Sequence, residues 1–221
     1  MTGGEQGQGL EWRDGVIPVS RRFDDPYFSL NDGLAETGHV FLAGNDLPAR
    51  LCPGFQVAEL GFGTGLNLLA LHLCNPGHPI RFTSFEAFPL DTAEIARALD
   101  HFPQARTVAE PFLAAWAKGA RRFDIGQISA EIIIGDARDT LPNWQGRADA
   151  WFLDGFSPAK NPELWAPELL AEVARHTTPG GTFATYTAAG HVRRALVEAG
   201  FAVDRRPGHG RKRHMSVGVL A

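Results

Sequence analysis

The sequence predicts an α/β fold built on an open, mostly parallel sheet. Short apolar runs alternate with segments of helical spacing along most of the chain, which is typical of repeated βαβ units. Residues 130–134 end in three consecutive isoleucines, as in strands that are buried on both faces. The last two strand-like segments are joined by a long return loop, which indicates an antiparallel final strand. We therefore expect seven strands, mostly parallel, with the last one antiparallel.

Chain length and composition favour one globular domain. A chain of 221 residues can bury a sheet between two helical layers, and we place the domain at residues 10–221. Its 44% hydrophobic and 21% charged residues are ordinary for a soluble protein, and no apolar run approaches the roughly 20 residues of a membrane helix. Residues 1–9 are rich in Gly and Gln, so we expect them to be disordered rather than a signal peptide. Export is therefore not expected.

Cysteine content and net charge limit the classes of partner. Cys52 and Cys74 lack the spacing of a metal-binding pair, so we expect reduced thiols in the core, no metal site and a cytoplasmic location. A formal net charge of −4 gives no overall attraction for nucleic acid. Local basic clusters can still bind phosphate groups.

The segment before the first sheet strand, residues 10–50, predicts a cap. Within it, Asp14 and Gly15 form the dipeptide that is typical of a tight β-hairpin. Residues 22–45 then mix aromatic and acidic side chains, and Tyr27 is a candidate contact for a substrate. The cap can pack on the sheet or contact a ligand directly, and these two roles are compatible.

A glycine-rich turn joins a predicted strand, residues 55–60, to a predicted helix, residues 66–74. Three glycines at alternate positions allow a tight turn and a close approach to a ligand, and the helix N-terminus favours an anionic group. These glycines are Gly61, Gly63 and Gly65. Glycine turns also occur for steric reasons alone, so the motif by itself is weak. Its context predicts a site for a nucleoside-bearing cofactor, to which Glu59 and Asn67 also belong.

Glu86 supports the cofactor interpretation because it follows the next predicted strand, residues 81–85. A carboxylate at this position can accept hydrogen bonds from both ribose hydroxyls of a nucleoside. Dinucleotide-binding proteins share this layout, but their fingerprint places the third glycine one residue later. The order E/D-x-G-x-G-x-G is more similar to the motif of S-adenosylmethionine-dependent methyltransferases with a Rossmann-like sheet.

Asp136 follows the β-branched strand and is a further candidate for cofactor binding, together with Ala137. A carboxylate at that strand end can accept a hydrogen bond from the amino group of an adenine. The alternative is that Asp136 caps the turn that follows.

Asp154 is the best catalytic candidate. It ends the predicted strand at residues 148–153, and ligands of open α/β sheets bind beyond the carboxyl ends of the strands. Two prolines stiffen the loop that follows, and its aromatic side chains can hold a flat substrate by stacking. The substrate-binding candidates in this loop are Phe156, Pro158, Lys160, Asn161 and Trp165. The alternative is a rigid connector whose aromatic side chains belong to the core.

The remaining patterns complete the βα alternation. Helices are predicted at residues 91–99, 112–118, 168–176 and 191–199, and strands at residues 182–186, 201–204 and 215–220. The loop between the last two strands carries a basic cluster that includes Arg211, Lys212 and Arg213. Such a cluster is either a solvated loop or a contact for an RNA backbone.

Four blocks of the sequence resemble one family. They are residues 23–29 with 39–42 and 44–45, residues 59–67, residues 151–165 and residues 210–215. Together they are similar to the methyltransferase domain of the MnmC family, whose stand-alone form is called MnmD. The block D-G-F-x-P-x-K-N-P-x-x-W is far more specific than the glycine turn.

This resemblance implies a class I methyltransferase fold and transfer of a methyl group from S-adenosylmethionine to an amine. The acceptor would be the primary amine of 5-aminomethyl-2-thiouridine at the wobble position of tRNA. The glycine turn, Glu86 and Asp136 would hold the cofactor, and Asp154 would face the amine. MnmC proteins also have a flavin-dependent oxidase domain that removes a carboxymethyl group. We expect that activity to be absent here, so that a separate enzyme supplies the aminomethyl intermediate.

Three other readings remain open at this point. An NAD-dependent oxidoreductase would share the glycine turn and Glu86. A non-catalytic RNA-binding module is disfavoured by the intact acidic positions Glu59, Glu86, Asp136 and Asp154. A methyltransferase that acts on a small-molecule amine would share every cofactor residue.

Overall fold

The computed structural model describes residues 10–29 and 32–221, so the expectation for residues 1–9 lies outside it. The described chain begins with a three-stranded antiparallel sheet of β1 (Leu10–Arg13), β2 (Ile17–Ser20) and β3 (Asp25–Pro26). The turn between β1 and β2 contains Asp14 and Gly15, with φ angles of 52° and 73°. Both angles lie in the left-handed region that the predicted D-G hairpin requires.

A second sheet of eight strands carries the rest of the chain. From one edge to the other its strands are β10 (Phe201–Pro207), β11 (His214–Leu220), β9 (Thr177–Thr185), β8 (Ala148–Leu153), β4 (Gln56–Leu60), β5 (Ile80–Glu86), β7 (Ile128–Ile134) and β6 (Arg122–Ile125). The five strands from β9 to β7 are parallel to one another, and β11 is antiparallel to both of its neighbours. This is the mostly parallel sheet with an antiparallel last strand that the sequence predicts, with eight strands instead of the expected seven because β6 adds an edge strand.

Eight helices are present in the described residues. They are α1 (Gly33–Thr37), α2 (Leu66–Cys74), α3 (Thr92–Leu99), α4 (Pro103–Val108), α5 (Glu110–Ala117), α6 (Ala137–Thr140), α7 (Pro167–Arg175) and α8 (Gly190–Glu198). A π-helical turn (Gly38–Leu42) continues α1 toward the first strand of the large sheet. None of the helices in this part of the chain is long and apolar enough to cross a membrane.

The large sheet is covered on both faces. Along β8, Phe152 packs in a core with the cap and with helices α2 to α5, whereas Trp151 and Leu153 pack in a second core with α6, α7 and α8. All three side chains are 0% exposed. The alternation follows from the two-residue period of a strand, and a strand buried on both faces needs apolar residues at every position.

The structure differs from the predicted elements in several places. The strand β6 was not predicted because Arg122 and Asp124 interrupt its apolar pattern; it pairs with β7 through a hairpin at Gly126 with φ of 56°. The short helices α1, α4 and α6 were not predicted. The strand β9 begins five residues before the predicted start at residue 182, because its Pro-Gly-Gly sequence resembles a turn and forms an irregular register instead.

The two cysteines are free, as expected, but they are not both in the core. Cys52 is exposed, and Cys74 is half-buried. The prediction of two core thiols is therefore wrong for Cys52.

Candidate active site

A cavity of about 690 Å³ opens where β4, β5, β7 and β8 end. Cap residues and the loop between β10 and β11 cover it. Its volume lies within the roughly 300–1,000 Å³ of small-molecule sites, and its place at the carboxyl ends of parallel strands is where ligands of such sheets bind. Among residues 10–29 and 32–221 there is no group of three or more His, Cys, Asp or Glu that could hold a metal ion.

The three glycines of the turn have different surroundings. Their φ angles of 84°, 54° and 76° are all left-handed, so another residue would be strained at each position. A Cβ on Gly61 would lie 3.2 Å from the Cα of Gly155, and one on Gly63 would lie 3.2 Å from the ring of Tyr27. A Cβ on Gly65 would instead lie 3.0 Å from two core phenylalanine rings. Gly61 and Gly63 therefore line the cavity, whereas Gly65 is required for packing behind it.

Glu86 is fixed by the turn itself. Its Oε2 accepts a hydrogen bond of 2.9 Å from the backbone N–H of Gly63, and its Oε1 accepts one of 2.7 Å from the N–H of Phe88. The side chain lines the cavity, and burial raises its pKa against the opposing effect of these hydrogen bonds. The acidic residue and the glycine turn thus form one rigid unit.

Asp136 lines the cavity with Ala137 but also has a partner of its own. Its Oδ2 is 2.6 Å from Nη2 of Arg138, and its Oδ1 accepts a hydrogen bond of 2.9 Å from the backbone N–H of the same residue. The Arg138 guanidinium lowers the pKa of Asp136. The capping alternative is therefore observed, and it leaves the carboxylate at the cavity wall.

A buried polar network links the turn to Asp154 through Asn67. The amide Nδ2 of Asn67 donates to Oε1 of Glu59 and to Oδ2 of Asp154, at 2.8 Å in each case. Its Oδ1 accepts a hydrogen bond of 2.8 Å from Thr37, which belongs to the cap helix α1. The second oxygen of Glu59 accepts a bond of 2.7 Å from Ser84. One amide thus connects four segments of the chain.

Glu59 does not contact the cavity, contrary to its prediction as a cofactor ligand. Its side chain is 0% exposed, and burial raises its pKa well above the ordinary value. Because both of its oxygens are engaged by Asn67 and Ser84, Glu59 positions the residues that reach the ligand.

Asp154 points into the cavity from the end of β8. Its Oδ1 accepts a hydrogen bond of 2.8 Å from the N–H of Gly155. Burial raises its pKa to about 6, although its hydrogen bonds and the charge of Lys212 act in the opposite direction. Near neutral pH the carboxylate is therefore mostly ionised and more basic than an ordinary aspartate.

The loop after Asp154 is tied to the cap by two polar contacts. The N–H of Ser157 donates to Oδ2 of Asp25 at 2.7 Å, and the ammonium of Lys160 forms an ion pair with Asp24. Lys160 and Asn161 line the cavity, whereas Pro158 does not. The loop and the cap therefore form one continuous wall.

The two predicted stacking residues of this loop have different positions. Phe156 lines the cavity, with the ring of Phe23 stacked 4.7 Å away and the ring of Tyr27 edge-on at 5.0 Å. Trp165 is only 2% exposed and packs in the core, where its Nε1 donates to the carbonyl of Phe156 at 2.9 Å. The prediction of Trp165 as a substrate-stacking residue is therefore corrected to a support for Phe156.

The three predicted tRNA contacts of the last hairpin, Arg211, Lys212 and Arg213, occupy different positions. Lys212 reaches back over the cavity, with its Nζ 2.8 Å from Oε1 of Glu36 and 4.0 Å from the ring centre of Tyr186. Arg211 lines the cavity mouth, and Arg213 is exposed outside the lining. Lys212 therefore lines the site, while 43% of its side chain remains exposed.

Most predicted site residues converge on one cavity. Those that line it are Tyr27, Gly61, Gly63, Asn67, Glu86, Asp136, Ala137, Asp154, Phe156, Lys160, Asn161, Arg211 and Lys212. Those that do not are Glu59, Gly65, Pro158, Trp165 and Arg213.

Sequence reasoning missed several side chains of the site, among them Tyr186, Glu36 and Thr37. Tyr186 follows β9, so the rule that identified Asp154 at a strand end could have found it. Glu36 and Thr37 belong to the cap, and only tertiary structure brings them to the cavity.

Comparison with known proteins agrees with this architecture. Residues 103–221, more than half of the chain, match a family model described as S-adenosyl-L-methionine-dependent methyltransferase. The chain is 45% identical over 95% of its length to the tRNA 5-methylaminomethyl-2-thiouridine biosynthesis bifunctional protein MnmC of Pseudomonas paraeruginosa. It is 48% identical over 92% of its length to the MnmC of Caulobacter sp.. It covers 34% and 37% of these two proteins, or about a third of their length.

A solved structure extends the comparison to the whole described fold. The crystal structure of MnmC2 from Aquifex aeolicus aligns with 98% of this chain and 72% of its own, with a TM-score of 0.74 and 25% identity. The family match also removes the oxidoreductase alternative for the glycine turn. The chain belongs to the family of S-adenosyl-L-methionine-dependent methyltransferases.

Proposed function

We propose that the protein transfers a methyl group from S-adenosylmethionine to the primary amine of 5-aminomethyl-2-thiouridine at the wobble position of tRNA. The proposal rests on one observation above all. Asp154, a carboxylate held by Asn67 and by its own loop, faces the same cavity as the glycine turn. The names of the MnmC relatives support the choice of tRNA 5-methylaminomethyl-2-thiouridine biosynthesis as the pathway.

The residues at one end of the cavity fit the cofactor. We define the cofactor end as Gly61, Gly63, Glu86, Asp136 and Ala137. At Gly63 a side chain would narrow the gap to Tyr27, so the bare backbone leaves room beside Glu86. Glu86 keeps lone pairs free beyond its bonds to two backbone N–H groups, and these can accept ribose hydroxyls. Asp136 and Ala137 would contact the adenine.

A second group of residues that line the same cavity fits an amine. We define the acceptor end as Asp154, Glu36, Tyr186 and Lys212. When bound, S-adenosylmethionine supplies a methyl group activated by a positively charged sulfur. The task of the protein is then to hold a neutral nitrogen in line with that carbon, which contributes through proximity and orientation.

Asp154 is placed to orient the amine and to stabilise charge on it. A primary alkylamine is mostly protonated near neutral pH and must lose one proton before its lone pair can react. Asp154 can accept a hydrogen bond from the ammonium, take up its proton as a base whose pKa is raised to about 6, and release that proton to solvent. Its carboxylate also stabilises the positive charge that develops on nitrogen as the bond forms.

The cap and the loop after β8 would hold the base. Phe156 contacts the aromatic rings of Phe23 and Tyr27, and the loop that carries it is fixed to the cap through Asp25 and Lys160. A uridine base that is turned out of the anticodon-loop stack could contact these rings. The aminomethyl form of the nucleoside would come from a separate enzyme.

The experiment is mass spectrometry of nucleosides from undermodified tRNA incubated with the protein and S-adenosylmethionine. A gain of one methyl group on 5-aminomethyl-2-thiouridine is the expected result. Parallel reactions with the free nucleoside and with a simple alkylamine measure the contribution of tRNA. If the alkylamine is methylated as efficiently as the tRNA, the protein acts on small amines instead.

A further inference from the structure

Lys212 differs from the other cations of the last hairpin in where its charge lies. Its ammonium is 2.8 Å from Oε1 of Glu36, a cap carboxylate that is only 8% exposed. It also lies 4.0 Å from the ring centre of Tyr186, which favours a cation over the ring face. The ion pair directs this ammonium toward Glu36, although 43% of the Lys212 side chain stays exposed.

Tyr186 fixes this cation at the acceptor end. The hydroxyl of Tyr186 donates to the carbonyl of Gly155 at 2.8 Å, so the ring that supports Lys212 is bonded to the residue after Asp154. The charges of Lys212 and Glu36 both act on Asp154, in opposite directions. Lys212, Glu36 and Asp154 therefore form one electrostatic unit.

Several other charged or titratable groups surround this unit. They are Asp25 and Tyr27 from the cap, Glu59 and Glu86 from the ends of β4 and β5, and His209 and Arg211 from the last hairpin. Lys212 forms its close ion pair with Glu36. Among the residues at the acceptor end, this leaves Asp154 as the carboxylate for an incoming amine.

The sign of the local charge decides which form of an amine the site favours. With the ammonium of Lys212 in place, one carboxylate is neutralised and the other faces the acceptor. Without it, the charges of Glu36 and Asp154, which already act on each other, would both be uncompensated and would stabilise an alkylammonium. An alkylammonium has no lone pair and cannot accept a methyl group.

We infer that Lys212 is a specificity-determining residue, which neutralises Glu36 so that the acceptor end favours a neutral primary amine over an alkylammonium. This inference rests on the proposed function, because it assigns the acceptor an amine nitrogen. It moves Lys212 from a contact with the tRNA backbone to a role at the methyl acceptor.

The test compares four proteins: wild type, Lys212→Met, the double variant Lys212→Met with Glu36→Gln, and Lys118→Met. Lys118 is exposed at the end of α5 and serves as the matched control. The rate of tRNA methylation is measured between about pH 6 and 9, with S-adenosylhomocysteine affinity and melting temperature as controls for folding.

We expect Lys212→Met to shift the rising limb of the pH profile upward by about one unit, equivalent to about tenfold slower transfer near pH 7. At high pH the rate should recover, and the double variant should return the limb toward its wild-type position. A second readout is the affinity for the free nucleoside 5-aminomethyluridine near pH 7, measured by calorimetry. Lys212→Met should bind this cationic probe several-fold more tightly than wild type.

Two outcomes would overturn the inference. An unchanged pH profile with a weaker salt dependence of tRNA binding would assign Lys212 to a phosphate contact. A uniform loss of rate at every pH, with no recovery in the double variant, would reduce the ion pair to a structural link. If wild type methylates no tRNA, the proposed function fails, and the nucleoside affinities alone decide the inference: tighter binding supports it and equal binding overturns it.

Discussion

The cofactor end of the cavity is built from neighbouring strand ends, whereas the acceptor end is assembled from segments far apart in sequence. Gly61, Gly63 and Glu86 lie at the ends of two adjacent strands, and the backbone N–H of Gly63 donates a hydrogen bond of 2.9 Å to the carboxylate of Glu86. The acceptor end combines a cap helix, two strand ends and the final hairpin, which bring Glu36, Asp154, Tyr186 and Lys212 together.

This contrast suggests a division of labour. Recognition of a nucleoside needs fixed backbone groups and one carboxylate, and a strand-turn-helix unit supplies both. Setting the protonation state of an amine needs several charged groups around its nitrogen. These groups come from different segments of the chain, because one segment cannot place charges on all sides of one atom. Substitutions at the two ends should therefore have separable effects on cofactor affinity and on turnover.

Asp154→Asn is the substitution that should separate the two ends most strongly. The variant loses the charge, and its amide offers one acceptor oxygen where the carboxylate accepts from both Asn67 and Gly155. We expect kcat to fall on the order of 100-fold while cofactor affinity changes little. Steady-state kinetics and calorimetric titration with S-adenosylmethionine measure the two effects.

The control for this variant is Asp124→Asn, which removes an exposed carboxylate from the edge strand β6. Higher pH should restore part of the lost rate in Asp154→Asn, since solvent would then deprotonate the amine. Near-normal turnover at neutral pH, or a loss of cofactor affinity in proportion to the rate, would contradict a role at the acceptor.

Glu86→Gln should have the opposite signature at the cofactor end. The amide can keep one of the two backbone hydrogen bonds from Gly63 and Phe88, but it removes the charged acceptor for the ribose. We expect the affinity for S-adenosylmethionine to fall by about tenfold, which corresponds to roughly 1.4 kcal/mol. At saturating cofactor, kcat should stay close to wild type.

Calorimetry of Glu86→Gln is compared with Glu198→Gln, whose exposed side chain lies at the end of α8. An unchanged affinity in a folded Glu86→Gln protein would remove this residue from the cofactor site. A large fall in kcat at saturating cofactor would show that the two ends are not separable.

The cofactor end could be predicted from the sequence better than the acceptor end. The turn, Glu86 and Asp154 could be located because each directly follows a strand, and the alternation of strands and helices predicts which chain ends meet. The position of Glu59 was misjudged because its acidic side chain suggests a ligand contact, whereas three-dimensional packing places it 0% exposed beneath Asn67.

The acceptor end was less predictable for a physical reason. The direction of the Lys212 ammonium depends on how the final hairpin packs against α1. These two segments are far apart in sequence, so no local pattern predicts their contact. The same holds for Trp165, because the sequence is equally compatible with an indole that stacks on a substrate and with one in the core. Only the structure shows that this side chain is 2% exposed. Aromatic and basic side chains carry little local information about the direction in which they point.

The smallest expected effect concerns the exterior of the final hairpin. Replacing Arg211 and Arg213 together by Ala, with Lys212 retained, should reduce the slope of log affinity for tRNA against log salt by about 2. Cofactor affinity and the pH profile should not change. Filter-binding measurements at several salt concentrations give the slope.

A matched variant removes two charges from elsewhere on the sheet, Arg81→Ala with Arg122→Ala. If both double variants have the same salt slope as wild type, the arginines of the hairpin are solvated and tRNA binds through another surface.

The order of strands in the large sheet has a consequence for the order of folding events. The strand β11 lies between β9 and β10 although it follows both in sequence, and the hairpin before it carries Lys212. Until β11 is inserted, the edge of β9 has no neighbour on that side, and an open strand edge is prone to association with other chains. The glycine turn and Glu86 need none of these residues. Time-resolved refolding should therefore show a stage that recognises the cofactor before the protein is competent to methylate an amine.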